Sequence, residues 1–169
     1  MDARAEQYIE VHKFHAGVVI GSVILALALE AFLPLHFHWA ASIEFTLLVT
    51  IYFALSRRNP SVGLLLGMAI GLAQDSLSHT PIGLYGISKT VVGFFASSLG
   101  GRIDVEHPVS RFLITLVFFH LHNFVFVATE RVLLARREPF INIGLVLASV
   151  ANAALAVILF PLLDRLRKA

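Results

Sequence analysis

Apolar residues gather along this chain in six long blocks, at about 15–33, 39–55, 61–78, 82–100, 109–129 and 142–163. Each approaches the roughly 20 residues that an α-helix needs to cross the hydrocarbon core of a bilayer. Between them stand residues that start or end helices: Pro34 after the first block, Asn59-Pro60 before the third, Thr80-Pro81 before the fourth and Gly100-Gly101 after it. His107-Pro108 precedes the fifth and Glu138-Pro139 the sixth. The pattern predicts an all-α bundle of about six transmembrane helices, one transmembrane domain over residues 1–169. The second block is the shortest and carries Glu44 near its start.

Ahead of the first block, Ala5, Tyr8, Val11, His12 and His15 share one helical face with the charges elsewhere. That suits either a short helix lying on the inner membrane surface or a solvated leader. No small-residue cleavage site closes the first block, which therefore reads as a retained span and not as a signal peptide.

Composition strengthens the membrane reading: 57% apolar residues, 14% charged residues and a mean hydropathy of +0.82 fall outside the range of water-soluble domains. No segment is left over for a separate soluble activity. The chain has no cysteine, which excludes structural disulfides, thiolate zinc sites, iron–sulfur clusters and thiol catalysis. The formal net charge of +2 comes from basic residues in a few loops, and no basic run is long enough to suggest a nucleic-acid partner.

Those loops set an orientation. With both termini cytoplasmic, Arg4, Lys13, Arg57, Arg58, Arg102, Arg111, Arg165, Arg167 and Lys168 fall inside, against Arg131, Arg136 and Arg137 outside. Basic loops are retained in the cytoplasm, so the bias favours cytoplasmic termini. The loop from Arg131 to Phe140, with Arg136-Arg137, runs against it.

In that topology Glu30, Glu44, Asp75 and Glu130 lie toward the outer ends of their helices, with Lys89 about two turns in on the fourth. The charges thus collect in the outer half, and no comparable set is expected in the inner half. An ionisable group inside a span is costly and faces protein or water. Glu44 and Glu130 are near enough to the interface to reach headgroup water. Asp75 and Lys89 lie deeper, on helices joined by the short turn Ser78 to Pro81, and the spacing predicts a direct or water-bridged pair. Such a pair either fixes helix register or lines a pocket. Gln74, Ser76 and His79 would add hydrogen bonds, and Glu30, Asp75, Lys89 and His79 form the candidate polar cluster.

Small residues mark packing faces. Gly63, Gly67, Gly71 and Asp75 recur every four residues on the third helix, and Gly86, Thr90, Gly93, Ser97 and Gly100 make a similar stripe on the fourth. Gly17 and Gly21, with Ser22 and Ala26, do so on the first. Such faces let helix backbones approach closely, either within the bundle or against another protein's helix.

The eight histidines do not arrange themselves as a metal or haem site: His36 and His38 flank Phe37 in a loop, and His120 and His122 point to nearly opposite faces of the fifth helix. They read as interfacial or packed, and no metal or cofactor is expected. No serine–histidine–aspartate order, phosphate loop or paired-carboxylate motif stands in a supporting context, so the chain does not read as an enzyme.

From Tyr52 to Gly101 the residues have a further pattern: Tyr52 and the basic pair Arg57-Arg58, then Gly67 and Gly71 leading into Asp75, then Ser78, Pro81-x-Gly83 and a small-residue-rich fourth span. In this the chain resembles the MreD family of rod shape-determining proteins, and its length, six spans and basic C-terminal end agree. The motif-like part covers about fifty residues and the architecture the whole chain. The resemblance implies a fold similar to the substrate-binding S-components of energy-coupling-factor transporters. It also implies a multi-pass subunit of the bacterial inner membrane, part of the cell-elongation and peptidoglycan-synthesis machinery. Its partners would be the bitopic protein MreC and, through it, MreB, RodA and the associated penicillin-binding transpeptidase.

The alternative is an S-component-like protein that captures a small molecule such as a vitamin beside Glu30, Asp75 and Lys89; against it, the first helix has Gly17-x-x-x-Gly21 where such proteins carry Ala-x-x-x-Ala. A haem-binding membrane anchor is the third reading, and the histidine geometry disfavours it.

Overall fold

The computed structural model describes residues 14–78, 80–101, 103, 105–136 and 139–166. The surface helix considered for the first fourteen residues lies, but for Phe14, outside the described residues. Among the described residues six α-helices follow one another: α1 (Ala16–His36), α2 (Phe45–Arg57), α3 (Pro60–Leu77), α4 (Leu84–Leu99), α5 (Pro108–Leu134) and α6 (Ile143–Asp164). A short 3-10 turn, His38–Ser42, joins α1 to α2. No strand occurs among the described residues.

Side chains at the breaks in the sequence start three of these helices. The Asn59 side chain accepts the N–H groups of Ser61 and Val62 ahead of α3, and His107 Nδ1 accepts that of Val109 ahead of α5, each with proline next in line. Asn142 accepts the Leu145 N–H at the start of α6. These side chains satisfy donors that a helix leaves open at its first turn. Pro34, in contrast, does not end α1. Proline removes one hydrogen bond within a helix, but the Phe37 N–H still reaches the Leu33 carbonyl at 2.9 Å, so the helix runs to His36. α5 also extends past the expected boundary at 129, to Leu134, where Ala135 turns the chain with a φ of +53°.

α2 is the centre of the bundle: every residue from Thr46 to Ser56 is buried, and the helix touches all five others. A helix enclosed on all sides has no solvent face to offer, and the hydroxyls it carries bond inside the bundle: Thr46 to Glu30, Thr50 to the Thr46 carbonyl and Ser56 to the Tyr52 carbonyl. α3 and α4 form the closest pair. A Cβ on Gly67 would lie 2.0 Å from the Lys89 carbonyl oxygen, so only glycine allows the two backbones to meet there. α1 lies at the periphery with Ile20, Ile24 and Leu25 more than half exposed.

Among the described residues, five helical segments are long and apolar enough to cross a membrane, the second of them combining the 3-10 turn with α2. α4, with 16 residues, has a length of about 24 Å against a hydrocarbon thickness of about 30 Å. It is packed against α2, α3 and α5.

Candidate functional site

Polar side chains from all six helices meet in the apolar bundle as two networks at opposite ends of α2. The first begins at Glu44, which precedes α2. Its carboxylate Oε2 lies 3.4 Å from Lys89 Nζ on α4 and 3.1 Å from His122 Nε2 on α5. Its backbone N–H donates to Asn152 Oδ1 on α6 at 2.9 Å, while Asn152 Nδ2 donates to the carbonyls of Ser42 and Ala148. Lys89 and Asn152 are fully buried, and the Lys89 ammonium also sits 4.8 Å from the centre of the Tyr85 ring. Tyr85 stacks on His122 with ring centres 6.0 Å apart. Glu44 therefore does not simply reach out to headgroup water; it neutralises a lysine that could not otherwise be buried.

Glu30 of α1 joins the same end of the bundle through neutral donors. It accepts from the Thr46 N–H at 3.0 Å, the Thr46 hydroxyl at 2.6 Å and Gln74 Nε2 on α3 at 2.5 Å. Glu130 is buried as well, and bonds Arg136 Nη1 at 3.0 Å instead of reaching headgroup water itself.

Asp75 does not pair with Lys89. Its Oδ1 accepts from the Tyr85 N–H and the Thr80 hydroxyl, and its Oδ2 from the N–H groups of Gly83 and Gly86, at 2.8 to 3.2 Å. The carboxylate thus closes the open N-terminus of α4, where backbone donors and the helix dipole both favour a negative charge. The register explains the difference from the expected pair. Gly63 meets Gly93, Gly67 meets Lys89 and Gly71 meets Tyr85. Asp75 is level with the start of α4, eight residues along α3 from Gly67, which faces Lys89; at the helical rise that is about 12 Å. Of the residues expected to help, Gln74 bonds Glu30, Ser76 is exposed and donates to the Leu72 carbonyl of its own helix, and His79 lies outside the described residues.

The second network corrects the expectation that the other half holds no comparable set. Arg111 Nη2 on α5 meets Asp164 Oδ2 on α6 at 2.5 Å, Arg111 Nε donates to the Val105 carbonyl at 2.8 Å, and the Tyr52 hydroxyl donates to Asp164 Oδ1 at 2.8 Å. In the sequence Arg111 counts only among the cytoplasmic basic residues and Asp164 is not singled out; the bundle brings them together.

The small-residue faces divide. Gly63, Gly67, Gly71 and Gly93 are filled by the α3–α4 contact, and Gly86 packs beneath Leu72 and Asp75. A Cβ on Gly17 or Gly21 would meet nothing within 4 Å. Beside α1 lies an open cavity of about 440 Å³ that reaches Glu30, Gln74 and Tyr85.

Sequence reasoning did not single out Thr46, Asn152, or His122 as a partner of Glu44. A lone amide in the middle of the last apolar block was the available signal for Asn152, because a buried polar group must find a partner. Thr46 offered no such signal.

A chain whose long apolar helices turn their ionisable side chains inward onto one another is a multi-pass integral membrane protein. Its sequence matches the family of the rod shape-determining protein MreD over residues 12–169, nearly its whole length, and the chain belongs to that family. No curated protein and no solved structure matches it significantly. Membership implies a role in rod shape determination within the cell-shape complex of a bacterial membrane, and the family is not a known enzyme family.

Proposed function

We propose that this chain is an assembly and regulatory subunit of the cell-elongation machinery, a single transmembrane domain in the bacterial inner membrane with both termini cytoplasmic. It binds the transmembrane helix of a MreC-like bitopic protein by close helix packing, and through that partner is joined to MreB, RodA and the penicillin-binding transpeptidase. It performs no chemistry of its own.

The observation that carries this reading is the contrast between the two glycine faces. Gly63, Gly67 and Gly71 are occupied from within by α4, whereas Gly17 and Gly21 stand open on a peripheral helix. Association within lipid depends on backbone approach and not on the hydrophobic effect, so an open glycine pair is where a second helix gains most. The buried networks support the same role, since they tie the helices into a fixed scaffold that presents α1. Coexpression with a MreC-like protein, comparing Gly21→Leu with Gly67→Leu, tests the proposal.

A further inference from the structure

The cavity beside α1 has a volume of about 440 Å³, within the range of roughly 300–1,000 Å³ typical of small-ligand sites. Its walls are apolar, formed by Leu27, Ala31 and Pro34 of α1 and Leu77 of α3. At its polar end stand Glu30 and Gln74, with Tyr85 beside them. Glu30 is the one carboxyl group among the lining residues, and none of them is a lysine, arginine or histidine. The nearby cation, Lys89, is fully buried and committed to Glu44. Glu30 itself is held by an amide, a hydroxyl and a backbone N–H, none of them a cation.

We infer that this cavity binds a primary ammonium group carried on an apolar body. An ammonium would form a charge-assisted hydrogen bond to Glu30, which is stronger than one between neutral partners, and its charge would be little screened among apolar walls. The wall residues would take the adjoining hydrocarbon. A carboxylate or sulfate in the same place would face the Glu30 charge with no lining cation to offset it. Both an ethanolamine lipid headgroup and a free alkylamine present this chemistry. The site is independent of the assembly role, because it lies between helices of the chain itself and uses neither Gly17 nor Gly21.

Trp39, the chain's one tryptophan, sits in the 3-10 turn whose Ala41 lines the cavity, and its fluorescence is a local reporter. The full chain, purified free of lipid in a non-ionic detergent, is titrated with decylamine and with decanoate. Decylamine is expected to saturate and decanoate not to. Glu30→Gln, which keeps the shape of the side chain, should weaken decylamine binding at least tenfold. Ala31→Leu, which narrows the cavity and leaves every polar contact in place, should do the same and decides the matter if Glu30→Gln does not fold. Displacement of decylamine by phosphatidylethanolamine but not by phosphatidylglycerol would identify the lipid headgroup as the source, and no displacement by either a free amine. Equal binding of decanoate, no saturable binding of decylamine, or undiminished decylamine binding by folded Glu30→Gln or folded Ala31→Leu overturns the inference.

Discussion

Lys89 on α4 is held by Glu44 at the start of α2, ammonium to carboxylate at 3.4 Å, with no exposure of the lysine to the surroundings. Through that one carboxylate, and the Glu44 N–H bonded to Asn152, the helices α2, α4, α5 and α6 are fixed to one another. A charge this deep in an apolar bundle is stable only when paired and hydrogen-bonded, so the contact sets the register of α4 against α2.

The pair should behave as a unit. Glu44→Gln is expected to lower stability by about 3 kcal/mol, because it leaves the buried Lys89 charge without its carboxylate; Lys89→Met should cost less, because Glu44 is partly exposed and keeps its contact with His122. The double substitution should cost less than the sum, by roughly 1 to 3 kcal/mol. Unfolding titrations in detergent give all three values, and additive effects would mean that the two residues do not interact. Asp75→Asn combined with Lys89→Met serves as the control and should be additive.

At the α3–α4 turn the carboxylate of Asp75 and the backbone of Gly83 form one device. Gly83 has a φ of +110°, which side-chain-bearing residues rarely adopt, and its N–H donates to Asp75 Oδ2 at 2.8 Å. Gly83→Ala is expected to lose about 1 to 2 kcal/mol from backbone strain. Asp75→Ala should lose at least as much, because the open donors of the α4 N-terminus go unsatisfied. Thermal unfolding monitored by circular dichroism checks both; if Asp75→Ala melts like the parent, the capping role is wrong.

The helices were legible in the sequence because apolar block length and proline or asparagine punctuation are local signals. Contacts across the bundle were less so. Gly-x-x-x-Asp followed by Pro-x-Gly marked the right hairpin, yet the pairing of Asp75 with Lys89 assumed that two deep charges on adjacent helices lie level. The glycine register, Gly67 against Lys89 and Gly71 against Tyr85, decides otherwise. Glu44 and Arg111 each stand near a block end, where a charge has water within reach. Their partners, Lys89 with His122 and Asp164 with Tyr52, come from helices distant in sequence, and no local pattern announces them.

Orientation can be read directly because the chain has no cysteine. Single cysteines at Ser61, Ile82 and Ala135 all fall on exposed positions. With cytoplasmic termini, an impermeant thiol reagent applied to intact cells should label the cysteines at 82 and 135 and spare the one at 61. Labelling at 61, or none at 135, would reverse the assignment.

The central claim is that α1 offers its open glycine face to a partner helix. Gly17 and Gly21 have no neighbour within 4 Å of an added Cβ, while one on Gly67 would strike the Lys89 carbonyl at 2.0 Å. The most direct measurement is copurification of a coexpressed MreC-like protein with the parent, Gly21→Leu and Gly67→Leu chains, each also passed over a sizing column. The parent should retain the partner. Gly21→Leu should remain monodisperse and lose it, and Gly67→Leu should aggregate because α3 and α4 can no longer close. If the parent does not hold the MreC-like protein, or if Gly21→Leu holds it as the parent does, α1 is not the surface through which this subunit assembles.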